Sequence, residues 1–385
     1  MHYFIFPDID TTLYQASSSK NTGLDEILEV QKNMKSDGTN IKVSRILIKF
    51  DLSYISQSIV RGQIVNPKFY LNMYDANPTD LSYSQSLWAW PVSQSWVEGE
   101  GFDMDNPTTT QGASWAYKTG IEEEDFWNPA SSSFTNEQGG TWHDEVYASQ
   151  SFFWSTGDMR MDVTPIVNKW LDKTYTNEGF IVRRSGSIKV ADNGVTVRSG
   201  SGEEGNTDHL GNFKFFSRQT NTIYPPKLEV EWFDTKWSTG SLDPLVSSEL
   251  EDMTVYMKSL RPEYKEKSKV KFRLVGRAKY PTKSYSNTAS AYLTAKYLPS
   301  GSVEQIGGTG AYYSVRDAQT EDVIIPFGTG SLISCDSTGN YFNLWMNGLQ
   351  SERYYKFEFK VVSGSNTDEE TVQYFDDDFV FKVVR

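Results

Sequence analysis

Apolar residues in this chain return at every second position, in runs too short for ordinary helices and broken by turn residues. That period commits the backbone to sheets. The clearest run is SRILIKFDLS, where Ile46, Ile48 and Phe50 take one face of a half-buried strand. KFYLNMY repeats the alternation with Phe69, Leu71 and Met73, and SLWAWPV adds Trp88 and Trp90. One stretch carries the helical period instead. In DVTPIVNKWLDKTYTNEGFIV, Thr164 is placed to cap a helix and Pro165 suits its first position. Ile166, Val167, Trp170 and Leu171 then form one apolar face. Two turns of helix are marginal alone, so this segment is expected to lie across the end or edge of a β-sandwich with Trp170 as its anchor. Gly179 ends the polar turn, and Phe180, Ile181 and Val182 begin a strand.

The rest of the composition agrees with an all-β chain. Aromatic residues make up 14% of it and Ala-rich or Leu-rich helical patterns are nearly absent. A length of 385 residues allows two or three domains, each with its own core. The formal charge of −13, from 50 acidic and 37 basic residues, argues against nucleic acid or an anionic membrane as the main partner. The single cysteine, Cys335, cannot form an intrachain disulfide, as suits a protein assembled in a reducing cytosol. No stretch approaches the roughly 20 apolar residues of a membrane span. MHYFIFPDIDTTLY lacks a basic leader and already alternates like a strand, so it is not read as a secretory signal.

Composition shifts divide the chain into residues 1–232, a linker at 233–251 without sustained periodicity, and a second β-domain at 252–385. In the first part, strands recur at intervals with turn signals between them, as in a jelly roll or sandwich. In the last, MTVYMK, KVKFRLVGRA, AYLTAKYL, DVIIPF, YFNLWM, YYKFEFKVV and DFVFKVV supply the short strands of one immunoglobulin-like sandwich. Two long segments, 98–140 and 192–211, have no strand pattern. Such insertions usually face partners, and these are expected to order against neighbouring subunits.

Several motifs stand in a recognisable order. They are DTTLY, NTG, SRILIKFDLS, QSWVEG, SWAYK, DVTPIVNKWLDKTYTNEGFIV and FFSRQT followed by YPPKLEV. Over roughly 10–232 the chain thereby resembles the DNRLRE family, a jelly-roll module of bacterial surface proteins. The resemblance implies that Trp96, Trp115 and Trp170 are core residues and that Arg45 and Arg218 are framework positions. With LRPEY, KYLPS, NLWMNGL and ERYYKFEFK in its second part, almost the whole chain is similar to virion structural proteins of tailed bacteriophages, especially large marine myoviruses. That likeness implies a virion component in the neck, tail, baseplate or an attached fibre. It would be assembled in the host cytoplasm as a homo-oligomer among other virion proteins.

No catalytic constellation appears. GxSxG, Walker and HExxH patterns are absent, so the chain is read as non-enzymatic. Of the three histidines only His143, in HDE, has neighbouring carboxylates, and a surface loop is the expected setting. Glu98, Glu100, Asp103 and Asp105 could gather oxygen ligands for calcium, but their spacing matches no known loop, so no cofactor or metal is assigned. The tryptophans offer the remaining chemistry. Trp127 and Trp142, flanked by polar and turn residues, are the leading candidates for a sugar platform or a partner contact, with Trp88 and Trp90 behind them. A carbohydrate-binding module or adhesin recognising cell-surface polysaccharide is therefore the alternative to a structural subunit.

Overall fold

The computed structural model describes residues 1–34, 41–127, 139–153, 157–185, 187–190, 196–199, 202–204, 208–245, 250–281, 296–301, 309–363 and 371–385. The chain is all-β, with several antiparallel sheets and two short α-helices among the described residues. It divides into two compact units. The first comprises Ile5–Arg61 and Lys68–Val230, the second Met1–Phe4, Gly62–Pro67 and Glu231–Arg385.

Strand β1 (His2–Ile5) opens the chain. Then follow β2 (Pro7–Tyr14), β3 (Ile27–Met34), β4 (Ile41–Phe50), α1 (Ser53–Val60), β5 (Lys68–Met73), β6 (Ser84–Pro91), β7 (Ala148–Phe153) and β8 (Met159–Asp162). After α2 (Thr164–Leu171) come β9 (Phe180–Arg184), β10 (Ser187–Val190), β11 (Thr196–Ser199), β12 (Gly211–Phe216) and β13 (Lys227–Glu231). One sheet of the first unit runs β12-β3-β4-β9-β6-β7, with β2 also on β4. The other sets β13, β5 and β8 side by side, and β10 with β11 forms a separate ribbon. Strand β4 is central. It pairs with β3 at Lys32–Val43, with β2 at Leu13–Arg45 and with β9 at Ile46–Val182. Ile46, Ile48 and Phe50 alternate with Arg45 and Leu47, and all five are buried. The strand is therefore covered on both faces, not half-buried as its alternation suggests. Each of its large apolar side chains contributes roughly 1.5–3 kcal/mol of transfer free energy.

Helix α2 buries Ile166, Val167 and Trp170, as its spacing requires. The Trp170 ring lies 4.7 Å from that of Phe180. The expected cap is different. Thr164 is the first helical residue, and its amide donates to Asp162 Oδ1 at 3.0 Å. Its hydroxyl accepts from the Phe69 amide at 2.8 Å, so it fastens the helix to β5 rather than closing its own first turn. Helix α1 is an addition to the single helix expected. SYISQSIV is rich in serine and buries only Ile55 and Ser58, too sparse a pattern to read as a helix face.

In the second unit lie β14 (Met253–Lys258), β15 (Glu263–Lys265), β16 (Lys269–Ala278), β17 (Gly310–Asp317), β18 (Val323–Ile325) and β19 (Ser334–Asp336). They are followed by β20 (Gly339–Trp345), β21 (Arg353–Ser363), β22 (Thr371–Phe375) and β23 (Val380–Val384). Two sheets, β14-β16-β20-β19 and β15-β23-β21-β17-β18 with β22 on β21, enclose an aromatic core. Tyr313 stacks on Phe342 at 4.3 Å and Phe357 on Phe381 at 4.7 Å, which is the interdigitation a sandwich requires. The Met1 ammonium is buried in this unit, donating to the carbonyls of Trp232, at 2.7 Å, and Gly330. It also pairs with Asp234 at 3.0 Å. The window read as a linker is fastened here too. Trp237 bridges to Cys335, and Leu245 is buried in the core with its amide 3.2 Å from the Tyr297 carbonyl.

Candidate functional site

The sequence candidates converge on one face of the larger sheet in the first unit. Leu13, Val43, Leu47, Trp90, Val92, Trp96, Ala113, Trp115, Trp127, Trp142 and Ile181 form one buried cluster. Trp127 and Trp142 are thus corrected from exposed platforms to core residues, at 3% and 2% exposure, and Trp90 is fully buried. The reason is long-range. Trp127 Nε1 donates to the Ser114 carbonyl at 2.9 Å, and Trp142 bridges to Val92 at the end of β6. Local polarity says nothing of either contact. Trp96 and Trp115 are buried, as the resemblance implied.

Trp88 alone of the four keeps a partly open position. It stacks on Trp90 at 5.5 Å on one side and on Tyr147 at 4.6 Å, with rings inclined by 14°. Tyr147 is 43% exposed. A ladder of rings therefore runs from the surface at Tyr147 through Trp88 and Trp90 to Trp142. Near it His143 stacks on Tyr175 at 3.9 Å, and the Tyr175 hydroxyl donates to Glu145 at 2.7 Å. The HDE motif thus forms an aromatic contact at the surface.

Under the tryptophans lies a buried ionic cluster that the sequence reading missed. Glu204 receives Arg45 through two bonds of 2.8 and 2.9 Å, and Arg183 binds the same carboxylate. Lys32 donates to the Glu204 carbonyl, and Arg45 also to that of Gly139 at 2.8 Å. The Arg45 guanidinium sits 4.6 Å from the Trp115 ring, and Arg183 lies 5.0 Å from Trp142 and 5.3 Å from Trp90. Burial alone would push the Glu204 carboxyl up, but Arg183 and Arg45 outweigh it and hold the group below its ordinary value. The signal was present in strands that read as buried yet carry arginine, Val43-Ser44-Arg45 and Phe180–Arg184. Buried cations of this kind need a carboxylate from elsewhere.

Residues 93–127 close over this core, and contacts within the chain hold them. Asn21, fully buried, donates through Nδ2 to the carbonyls of Glu98 and Ala113 at 2.6 and 2.8 Å. Its Oδ1 accepts from the amides of Gly101 and Gly23 at 2.9 and 3.2 Å. Gly99 takes a positive φ of +82°, and a Cβ there would fall 2.3 Å from Asn21 Oδ1, so only glycine permits the approach. A second anchor is Arg218, paired with Glu98 at 2.8 and 2.9 Å. Its amide donates to Asp10 at 2.7 Å. Burial pushes the Asp10 carboxyl up to about 7, opposed by that amide bond. The expectation that this loop orders only against neighbouring subunits therefore gives way to a loop built on the chain's own hydrogen bonds. Of the two long segments, residues 128–138 and much of 191–207 lie outside the described residues.

The candidate calcium ligands do not converge. Glu98 is taken by Arg218, Asp103 pairs with Lys20 at 2.9 Å, and Asp105 accepts from Thr109 and the Phe102 amide. Among the described residues no group of three or more His, Cys, Asp or Glu could hold a metal ion. Between exposed polar residues such as Glu100, Asp103, Gln111 and Glu124, the loop also presents apolar side chains outward. Val97 is 51% exposed, Phe102 43%, Met104 94% and Ile121 46%. Compared with known proteins, the chain matches no family model and no curated protein.

Proposed function

We propose that the chain is a non-enzymatic structural subunit of a tailed-phage particle, in the neck, tail, baseplate or an attached fibre. The observation that carries this reading is the loop over the tryptophan core. It displays Val97, Phe102, Met104 and Ile121 to the outside while Asn21 holds its backbone and Arg218 its Glu98 carboxylate. Apolar side chains on a fixed frame lose little entropy on docking, which suits a rigid joint in an assembly. The particle itself is supplied by the resemblance of the motifs.

The test is mass spectrometry of purified virions from the source of the chain, where it should occur at several copies per particle. A Phe102→Glu/Met104→Glu double variant should fold with an unchanged near-UV spectrum and be left out of the particles. Incorporation of that variant at the wild-type level would contradict the assigned surface. A sugar-binding reading is favoured by one feature, the exposed stack of Tyr147 on Trp88. Tight binding of a neutral glycan by the free chain, lost in Trp88→Ala, would promote it over the structural one.

A further inference from the structure

The chain is strongly acidic as a whole, yet one sheet face of the second unit is basic. Along β16, Phe272 and Leu274 enter the core, as do Phe342 and Leu344 of β20 and Val255 of β14. The intervening residues therefore share the opposite face. There Lys269 stands opposite Trp345, Lys271 opposite Asn343 and Arg273 opposite Tyr341, while Lys258 of β14 faces Arg273 from the other side. Lys258, Lys269 and Lys271 are exposed. Among the described residues the single carboxylate bound to these cations is Asp336, which Lys271 meets at 2.8 Å and Arg273 at 2.6 Å. Among the described residues, Lys258 and Lys269 have no carboxylate at ion-pair distance.

The other sheet shows that this is not the general habit of the unit. Arg316 pairs with Glu358 at 2.9 Å, Lys356 with Glu321 at 2.7 Å and Arg353 with Asp317 at 2.7 Å, and Lys382 pairs with Glu352. These four cations are matched there, whereas on the β14-β16-β20 face the exposed cations outnumber the one bound carboxylate. They are also held in place by rings. Lys271 lies 3.7 Å from the Tyr341 ring centre and Arg273 5.4 Å, while Lys269 lies 5.3 Å from that of Trp345, which packs edge-on against Tyr3 at 5.5 Å. A lysine column on one strand presents charges about 7 Å apart, twice the rise per residue.

We propose that this face binds an acidic polysaccharide, a glycan chain bearing sulfate or carboxylate groups at regular intervals. The spaced cations supply the charge complement, and the rings of Trp345 and Tyr341 hold Lys269, Lys271 and Arg273 in place. Single-stranded nucleic acid fits less well. It requires bare aromatic faces for base stacking, and Tyr341 is only 8% exposed with two cations over its ring. The face belongs to a different unit from the apolar loop and stands or falls apart from it.

The experiment uses the full chain and immobilised heparin as the sulfated probe, with neutral dextran and a dT20 oligonucleotide as the other arms. Wild type should bind heparin, release it as salt is raised, and ignore dextran. Lys269→Glu/Lys271→Glu should weaken heparin binding by about tenfold or more at low salt, with a smaller salt dependence, because each lost contact removes a counterion-release step. The charge-matched control Lys68→Glu/Lys173→Glu, at exposed positions of the first unit, should bind as wild type does. Lys258→Ala, an exposed edge position, should give a smaller step in the same direction and serves if the double variant misfolds. No heparin binding by wild type, equal loss in the control, or tighter binding of dT20 than of heparin would overturn the proposal.

Discussion

Replacing Glu204 by Ala is expected to cost the first unit roughly 3–5 kcal/mol, the range for removing one partner of a buried ion pair. The carboxylate is 7% exposed and serves two guanidiniums at once, those of Arg45 and Arg183. Arg45 is itself 1% exposed, so water cannot replace the lost partner. Two strands would be affected together, because Arg45 sits on β4 and Arg183 on β9, and the tryptophans rest on both side chains. Glu204→Gln should lose less, since the amide oxygen still accepts one bond. Glu352→Ala, which removes an exposed pair with Lys382, should leave the melt unchanged. Urea denaturation followed by tryptophan fluorescence reads the first unit, where most of the 11 tryptophans lie. Equal midpoints for Glu204→Ala and wild type would remove the cluster from the framework of the fold.

Trp127→Ala is expected to destabilise the same unit by about 3–5 kcal/mol, as Trp170→Ala should, because each leaves a large cavity in a closed core. Sequence context suggests the opposite ranking, with Trp127 on a polar loop and Trp170 on a helix face. The structure places both rings out of water, and truncating Trp127 also leaves the Ser114 carbonyl without its donor. Trp88→Ala, at a half-open position, should cost about 1 kcal/mol. A Trp127→Ala melt close to that of Trp88→Ala would show that the loop, and not the core, carries this side chain.

These expectations mark where local reading of the sequence stops. Alternation in β4, β5, β16 and β20 and the apolar spacing of α2 were legible because each depends on residues within one element. The second helix was not, since α1 is held by tertiary contact at Ile55 and Ser58 and not by an apolar stripe. Burial of Trp127 and Trp142 depends on partners from other segments, Ser114 and Val92. Glu204 lies in SGEEGNTDH, a stretch that reads as a solvated loop, and distant groups draw it inward, the arginines of β4 and β9 and Lys32 of β3. Asn21, within an ordinary NTG turn, gives no sign that its side chain binds backbone about 80 residues further on, as its bond to Gly101 spans 80 positions.

A preformed loop over the tryptophan core is the central claim, and hydrogen exchange on the isolated full chain tests it most directly. The amides of Asn21, Gly101, Gly112 and Ala113 bond within the chain, to Thr109 O, Asn21 Oδ1, Thr119 O and Val97 O. They should exchange as slowly as amides of the core strands, with no partner present. Exchange at the rate of unstructured peptide across 97–113 would contradict the claim, and would mean that only a neighbouring subunit orders this surface.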